Sequence, residues 1–592
     1  MKKYHSLVFG FSLLTLSLCG SPLEDEFATI HEEEIAVDWD RSAPKEAKKP
    51  GKHPGTIQEK DLPAVTGSNR EIIPELKGVI ITTNDQSEGD VRGVAFKDIH
   101  VPGNTLMITN YLQKNFIGKA LTERDLSLIK RYLILYYRDN GRPVVSVKIP
   151  EQDITEGVLL VMVKEAKLGK VICKGNEHFK SRYLANAIRL KPGEVIDSQI
   201  LAQDLTWLNR NTFRQSDVIF TPGDVVGVTD IELVTLDRRP YRIYAGVDNT
   251  GFKDTETPRL FSGVNFGNLW DLSHMFSYQY STSPDWKSFY AHTGNYVIPL
   301  PNRHFLLLYG GFSRVHSPIP ITPAEQLLDM ANKGQSVQAS ARYEMPFKPG
   351  SSFLQEFTFG YDYKQTNNNV VFGGSSLFKQ RVNLTQFVLG YDCGYKNTWV
   401  KVSATAELFF SPYRWLPNQS NKTFDKIRQY SHNTYWYVRG AVDSVFLLPK
   451  NFTIAPVFRW QVANSNLQPS EEYGIGGYNT VRGYLERLFN GDDAINFNLE
   501  ARFPPVSILY PLMKKRVNDQ FQFLLFFDFA WADQHKTPDN QKKDEWLAGV
   551  GPGIRYDLNR YLTSRLDWGI KLHQVSGDHP FSRLHFSVVM SY

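Results

Sequence analysis

The chain has 592 residues, which is too long for one ordinary domain, so several domains are expected. Its net charge of +5 with 22% charged residues is too balanced to indicate a nucleic-acid partner. The three cysteines (Cys19, Cys173 and Cys393) predict neither a disulfide framework nor a metal cluster, and the G-x-S-x-G, H-E-x-x-H and P-loop motifs do not occur. We therefore expect no enzyme, no cofactor and no metal site.

The first 20 residues have the composition of a secretory signal peptide. Lys2 and Lys3 precede an apolar run from Leu7 to Leu18, and small residues follow. The end of this leader resembles a lipoprotein box, but Leu18 is too bulky for the position before the cysteine, which favours ordinary cleavage near residues 19–21. No later window approaches eighteen consecutive apolar residues, which excludes a helical membrane protein.

Residues 21–90 carry weaker signals. Glu24–Trp39 is acidic with scattered apolar residues, which is compatible with a short helix or with a disordered tail. Ser42–Asn69 is rich in proline, glycine and lysine, which predicts a flexible linker. Leu76–Thr83 is a candidate strand whose role the sequence does not assign.

Residues 91–166 and 167–238 repeat one order of elements, a strand, two helices and two strands. In the first unit, Thr122 is placed to cap the second helix. In the second unit, Ser198–Asn209 has apolar residues at helical spacing. Small sheets of this kind have open edges that can pair with an extended peptide. The sequence therefore predicts two similar α+β domains in tandem.

From residue 241 to residue 592 the hydrophobic period is two. Polar and apolar residues alternate along each segment, and aromatic residues are frequent, which is the pattern of a transmembrane β-barrel. We identify sixteen candidate strands, which begin near Tyr241, Leu260, Leu272, Trp286, His304, Ser336, Phe353, Arg381, Thr398, Tyr430, Phe452, Ala494, Phe521, Leu547, Leu562 and Leu584. The chain ends on an aromatic residue, Tyr592.

Two short segments of this region carry unusual charges. Tyr473–Tyr484 reads YGIGGYNTVRGY, in which three glycines precede Val481, Arg482, Gly483 and Tyr484. The strand Phe521–Ala530 holds one carboxylate, Asp528, in an apolar run, and the alternation turns Leu524, Phe526 and Asp528 toward the barrel lumen. A buried carboxylate is costly unless a cation meets it, so we expect an Arg482–Asp528 contact inside the barrel.

These segments resemble the VRGY loop and the F-x-D-x-G strand of two-partner secretion outer-membrane transporters. This is the TpsB-type, or haemolysin secretion/activation protein, family within the superfamily of barrels that carry POTRA domains. Pro150–Gly157 and Asp248–Gly251 resemble further stretches of that family. The chain departs from the family at Ala530, where glycine is usual.

The resemblance implies two POTRA domains at 91–166 and 167–238, a barrel of about sixteen antiparallel strands at 241–592, and an N-terminal plug helix in the lumen. It implies an outer-membrane transporter whose periplasmic POTRA domains capture a large unfolded partner protein, of the TpsA-type adhesin, haemolysin or toxin class, and export it without ATP. The implied site is the lumen loop motif Val481–Tyr484 against a strand with Phe526, Asp528 and Ala530.

Other partners implied are outer-membrane lipid and the barrel assembly machinery, which reads the closing strand at Tyr592. The alternatives are an assembly factor (insertase) of the same superfamily and a plugged porin-like channel. Two POTRA units rather than a longer string favour export, and the Arg482–Asp528 pair argues against a passive porin.

Overall fold

A computed structural model of the protein describes residues 45, 56–59, 61–84, 90–251, 257–318, 330–347, 353–372, 375–510, 518–539, 541–575, 578 and 580–592. The predicted signal peptide and the predicted plug helix lie outside these residues. Two short strands come first along the chain, β1 (Ile57–Gln58) and β2 (Glu71–Ile73).

The first module is a four-stranded sheet covered by two helices. Its sheet has the order β4-β3-β7-β6, and only the β6–β7 pair is antiparallel. The long helix begins at a capping box, in which the side chains of Thr122 and Asp125 bond to each other's backbone N–H. The elements are β3 (Gly78–Thr82), β4 (Gly93–Lys97), α1 (Thr105–Asn115), β5 (Leu121–Thr122), α2 (Glu123–Asp139), β6 (Val145–Lys148) and β7 (Val158–Glu165).

The predicted start of this module at residue 91 is wrong. Strand β3, which precedes residue 91, lies in the middle of the sheet between β4 and β7. Val79, Ile80 and Ile81 are at most 1% exposed. A strand that is covered on both faces carries no alternation, so its apolar run did not show the period of two that marks a half-exposed strand.

The second module repeats the three-stranded core and the two helices of the first, but its fourth strand lies at the opposite edge. Its sheet has the order β1-β9-β10-β8, so strand β1, from the predicted linker, lies at one edge. Ile57 pairs in parallel with Val218 of β9. The segment 42–69 was predicted to be a linker throughout because its composition hides a two-residue strand. The elements are β8 (Lys167–Lys174), α3 (Ser181–Asn186), α4 (Ser198–Asn209), β9 (Arg214–Pro222) and β10 (Val228–Asp237).

The remaining chain forms a closed barrel of sixteen antiparallel strands, which confirms the predicted fold class and strand number. Two further short strands, β22 and β23, are not part of the barrel and pair with each other as a hairpin inside one loop. The strands are β11 (Tyr241–Asp248), β12 (Arg259–Leu269), β13 (His274–Thr282), β14 (Phe289–Pro299), β15 (Phe305–Pro318), β16 (Met330–Phe347), β17 (Phe353–Phe372), β18 (Ser375–Lys396), β19 (Val400–Ser411), β20 (Tyr435–Leu448), β21 (Phe452–Ala463), β22 (Tyr473–Ile475), β23 (Phe489–Gly491), β24 (Asp493–Arg502), β25 (Asp519–Asp533), β26 (Asp544–Leu558), β27 (Leu562–Lys571) and β28 (Ser582–Ser591). A short helix, α5 (Asn421–Ile427), lies between β19 and β20.

The barrel closes where β28 pairs with β11, from Tyr244–Ser591 to Asp248–Ser587. Tyr592 extends this seam, because its backbone N–H donates to the Ile243 carbonyl oxygen at 2.9 Å and its carbonyl oxygen accepts from the Ile243 N–H at 3.2 Å. The Tyr592 side chain is 71% exposed on the outside. Among the described residues, no helix has both the length and the hydropathy that crossing a membrane requires.

The second module is joined to one end of the barrel by buried polar contacts. Arg214 of β9 donates to the Ser273 hydroxyl at 2.6 Å, and burial lowers the pKa of Arg214 to about 10. Asp204 of α4 accepts from Arg303, in the turn between β14 and β15, at 2.9 Å. Arg210 reaches the carboxylates of barrel strands β16 and β17. These contacts align the module with the barrel opening.

Candidate functional site

The loop between β21 and β24, residues 464–492, folds into the barrel, and we call it the lumen loop. It contains the β22–β23 hairpin and the predicted motif Val481–Tyr484. All four residues of that motif are inside, since Val481 and Tyr484 are fully buried and Arg482 is 2% exposed. Gly483 has φ +104°, and a Cβ there would lie 3.1 Å from the carbonyl carbon of Gly569. Glycine is therefore required for the loop to lie this close to β27.

Arg482 and Asp528 are in contact. Arg482 Nε lies 2.7 Å from Asp528 Oδ2, and its Nη2 lies 2.8 Å from Asp528 Oδ1. The backbone N–H of Arg482 also donates to Asp528 Oδ2 at 3.0 Å. Two parallel bonds of this kind suit the planar guanidinium and are beyond the reach of a lysine.

Two further carboxylates surround Arg482, and the sequence reasoning missed both. Arg482 Nη1 lies 2.6 Å from Glu500 Oε1 and 3.3 Å from Asp567 Oδ2. Arg555 of the barrel wall bonds the same two carboxylates, at 3.1 Å and 2.7 Å. The alternation of polar and apolar residues along β24 and β27 does place Glu500 and Asp567 on the lumen face, so their orientation could have been predicted from the sequence. Only the ring order of the strands brings them beside Arg482.

Apolar lumen groups lie under the same guanidinium. The Arg482 guanidinium carbon is 3.6 Å from the ring centre of Phe526, which is a close cation–π contact. Leu524 and Phe526 are at most 4% exposed, while Phe523, Leu525 and Phe527 are exposed on the outside. The lumen loop thus covers apolar side chains that would otherwise line a wet channel.

Gly483 and Tyr484 extend the contact to the last strands. The Gly483 N–H donates to His585 Nε2 of β28 at 3.0 Å. The Tyr484 hydroxyl contacts the carbonyl oxygens of Ala548 and His573, the former at 2.9 Å. The motif therefore bonds to β26, to β28 and to the segment that follows β27.

Val481 packs in a buried cluster that includes Ala530, the departure from the resembled family. Ala530 is fully buried, so its methyl group fills space between the lumen loop and β25. The predicted strand residues Phe526, Asp528 and Ala530 thus all lie against the loop, whereas Tyr592 lies away from it at the seam. The other members of the cluster are Ile475, Tyr484, Ala494, Ala532 and Leu547.

The arrangement is a loop that covers the inner face of the barrel wall and is held there by charged and polar contacts. Its charged groups bond to one another through hydrogen bonds and ion pairs. Within the described ranges, no cluster of three or more His, Cys, Asp or Glu side chains is arranged to hold a metal ion. The chemistry available is the making and breaking of buried ion pairs.

Residues 227–556 match the family described as haemolysin secretion/activation protein ShlB/FhaC/HecB. Residues 166–234 match the POTRA family, described as surface antigen variable number repeat. The first match spans most of the barrel and the second coincides with the second module.

Curated relatives and solved structures agree with these matches. The heme/hemopexin transporter protein HuxB of Haemophilus influenzae strain 86-028NP is 22% identical over 75% of this chain and 77% of its own length. The outer membrane transporter CdiB of Escherichia coli is 24% identical over 82% of this chain and 80% of its own length. The solved structure of CdiB from Escherichia coli has a TM-score of 0.72 at 16% identity, covering 90% of this chain and 94% of that one. CdiB from Acinetobacter baumannii gives 0.63 at 17% identity, covering 94% and 95%.

Proposed function

Because the chain belongs to the haemolysin secretion/activation protein family described as ShlB/FhaC/HecB, we propose that it exports one large partner protein from the periplasm to the cell surface. The observation that carries this proposal is the lumen loop, which is held by the Arg482 site inside a closed sixteen-stranded barrel. Sixteen strands enclose a channel wide enough to leak. A cover held by ion pairs closes that channel and leaves it openable.

The two modules are the entry side of this path. The first sheet ends in short edge strands, β4 and β6, and the second ends in β8, which bonds residues 193–194 on its outer side only near its start. Open backbone groups on such edges can pair with an extended chain. Pairing through the main chain gives affinity with few side-chain demands. This suits the capture of an unfolded partner without ATP.

The N-terminal segment is a second filler of the lumen in this proposal. Lys45 belongs to the predicted linker, and its backbone N–H donates to the hydroxyl of Tyr244 on the lumen face of β11 at 2.8 Å. Its carbonyl oxygen accepts from Arg242 of the same strand at 3.1 Å. These contacts support a path in which the residues before the linker enter the barrel.

The test pairs this chain with a candidate partner, a large secreted protein chosen from the genes that neighbour its own. In cells that carry both genes, we expect the partner at the surface or in the medium. In cells that lack this chain, we expect it to be degraded or retained in the periplasm. A chain without residues 56–238 should give a folded barrel and no export. Export that is unchanged when this chain is removed would refute the proposal.

The control for general envelope damage is the level of other outer-membrane proteins. If this chain were an assembly factor, its removal would lower those levels together with partner export. Unchanged levels with lost export distinguish secretion from assembly.

A further inference from the structure

The lumen loop makes a second set of buried contacts, at its beginning, around Glu471. This carboxylate is fully buried. Lys364 Nζ of β17 lies 2.9 Å from both of its oxygens, and the Tyr437 hydroxyl of β20 donates to Oε2 at 2.6 Å. Gln386 of β18 adds a bond from its side-chain amide at 3.2 Å. Three barrel strands thus hold one side chain of the loop.

The backbone of the same residue is held as well. The Glu471 carbonyl oxygen accepts from Arg439 of β20 at 2.7 Å and from Gln461 of β21 at 3.2 Å. A buried residue that is bonded through both its side chain and its main chain has little freedom to move without breaking several bonds.

The Glu471 contacts and the Arg482 contacts lie on different parts of the barrel wall. The Glu471 contacts come from the seventh, eighth, tenth and eleventh barrel strands, whereas the side-chain ion pairs of Arg482 are with the twelfth, thirteenth and fifteenth, so the two sites share no strand. Within the described contacts, no residue bonds both Glu471 and Arg482. The loop therefore crosses the lumen between two separate attachments.

We propose that Glu471 is a second anchor of the lumen loop, a positioning residue that holds the loop across the channel independently of Arg482. The inference rests on the proposed function, because it assumes that the loop must move for export. Either anchor alone keeps part of the loop in the lumen, so full opening requires both to break. Variants within one anchor should therefore have the same effect on the loop, whereas loss of one anchor should be partly offset by the other.

The test measures ion conductance of the purified full-length chain in planar bilayers, with no partner present. Glu471→Gln keeps the shape of the side chain and removes its charge, which leaves the Lys364 ammonium buried without a counter-ion. We expect more frequent open events than in the wild type. Combining Glu471→Gln with Arg482→Ala should raise their frequency about tenfold or more beyond either single variant, because the charged contacts of both anchors are then lost.

Lys364→Met combined with Glu471→Gln distinguishes an anchor from general damage. It replaces the ion pair by a neutral pair, so the penalty of the buried ammonium disappears and conductance should return toward the wild-type value. Asp443→Asn is the matched control, since this carboxylate of β20 forms its ion pair with Arg459 of the barrel wall at 3.5 Å. We expect wild-type conductance for it. Heat-modifiable gel mobility checks that each variant is folded.

Wild-type conductance in Glu471→Gln, or a double Glu471/Arg482 variant no more open than the Arg482 single variant, would overturn the second anchor. Both measurements are made without the partner. They are therefore separate from the export test, whose failure would refute the proposed function and leave the conductance result standing.

Discussion

Removing Arg482 should release its part of the lumen loop far more than removing Asp528 does. Arg482→Ala leaves Asp528 buried without its cation, whereas Glu500 and Asp567 keep Arg555. Breaking a buried pair in this way costs about 3–5 kcal/mol, and the Arg482 side chain is only 3% exposed, so water relieves little of the penalty. This corresponds to a shift of about two to nearly four orders of magnitude between the bound and released loop.

Asp528→Ala removes one partner of several. Arg482 keeps Glu500 at 2.6 Å, Asp567 and the ring of Phe526. The loss is that of charge-assisted hydrogen bonds, about 1.5–3 kcal/mol. The double variant should resemble Arg482→Ala, because Asp528 acts on the loop through the arginine.

The assay is cleavage of the lumen loop by protease added to whole cells, measured beside partner export and heat-modifiable barrel level. Arg555→Ala is the matched control, since it removes a cation from the same network but belongs to the barrel wall. We expect normal barrel levels throughout, and the order of cleavage Arg482→Ala above Asp528→Ala above Arg555→Ala. Equal effects of the first two variants, or strictly additive effects in the double variant, would refute the reasoning.

Three further outcomes follow from the contacts. Gly483→Ala should loosen the loop by about 1–3 kcal/mol, because its φ of +104° strains any other residue, and protease cleavage measures it; wild-type resistance would contradict the close approach. Deleting Tyr592 should lower the amount of the heat-modifiable barrel form, because two backbone hydrogen bonds of the seam are lost. Tyr592→Phe keeps these bonds and should fold normally. Normal folding of the deletion variant with lost export would contradict an assembly role. Arg303→Ala should increase proteolysis between the second module and the barrel, because it removes a hydrogen bond from the barrel to Asp204 of the module. Arg189→Ala is the control and should not, because Arg189 bonds Asp204 at 2.7 Å from within the module. Equal proteolysis of the two variants would contradict this role of Arg303.

The sequence determined the fold class of this protein because its signals are local. A period of two follows from the geometry of a strand with one wet and one lipid-facing side, and it gave sixteen strands from residue 241 onward. Thr122 and Asp125 lie three residues apart, so the start of helix α2 was readable from the chain alone. The lumen orientation of Asp528 followed from the same alternation.

Only the tertiary structure decided which distant charges meet. Glu500 and Asp567 lie 18 and 85 residues from Arg482, and Glu471 lies 107 residues from Lys364. Nothing in the sequence next to these acids indicates such distant partners. Strand β3 was predicted within Leu76–Thr83, but its place in the first module was not, because its burial on both faces comes from neighbours supplied by other parts of the chain. The closed ring of strands sets these distances, and a linear pattern does not contain them.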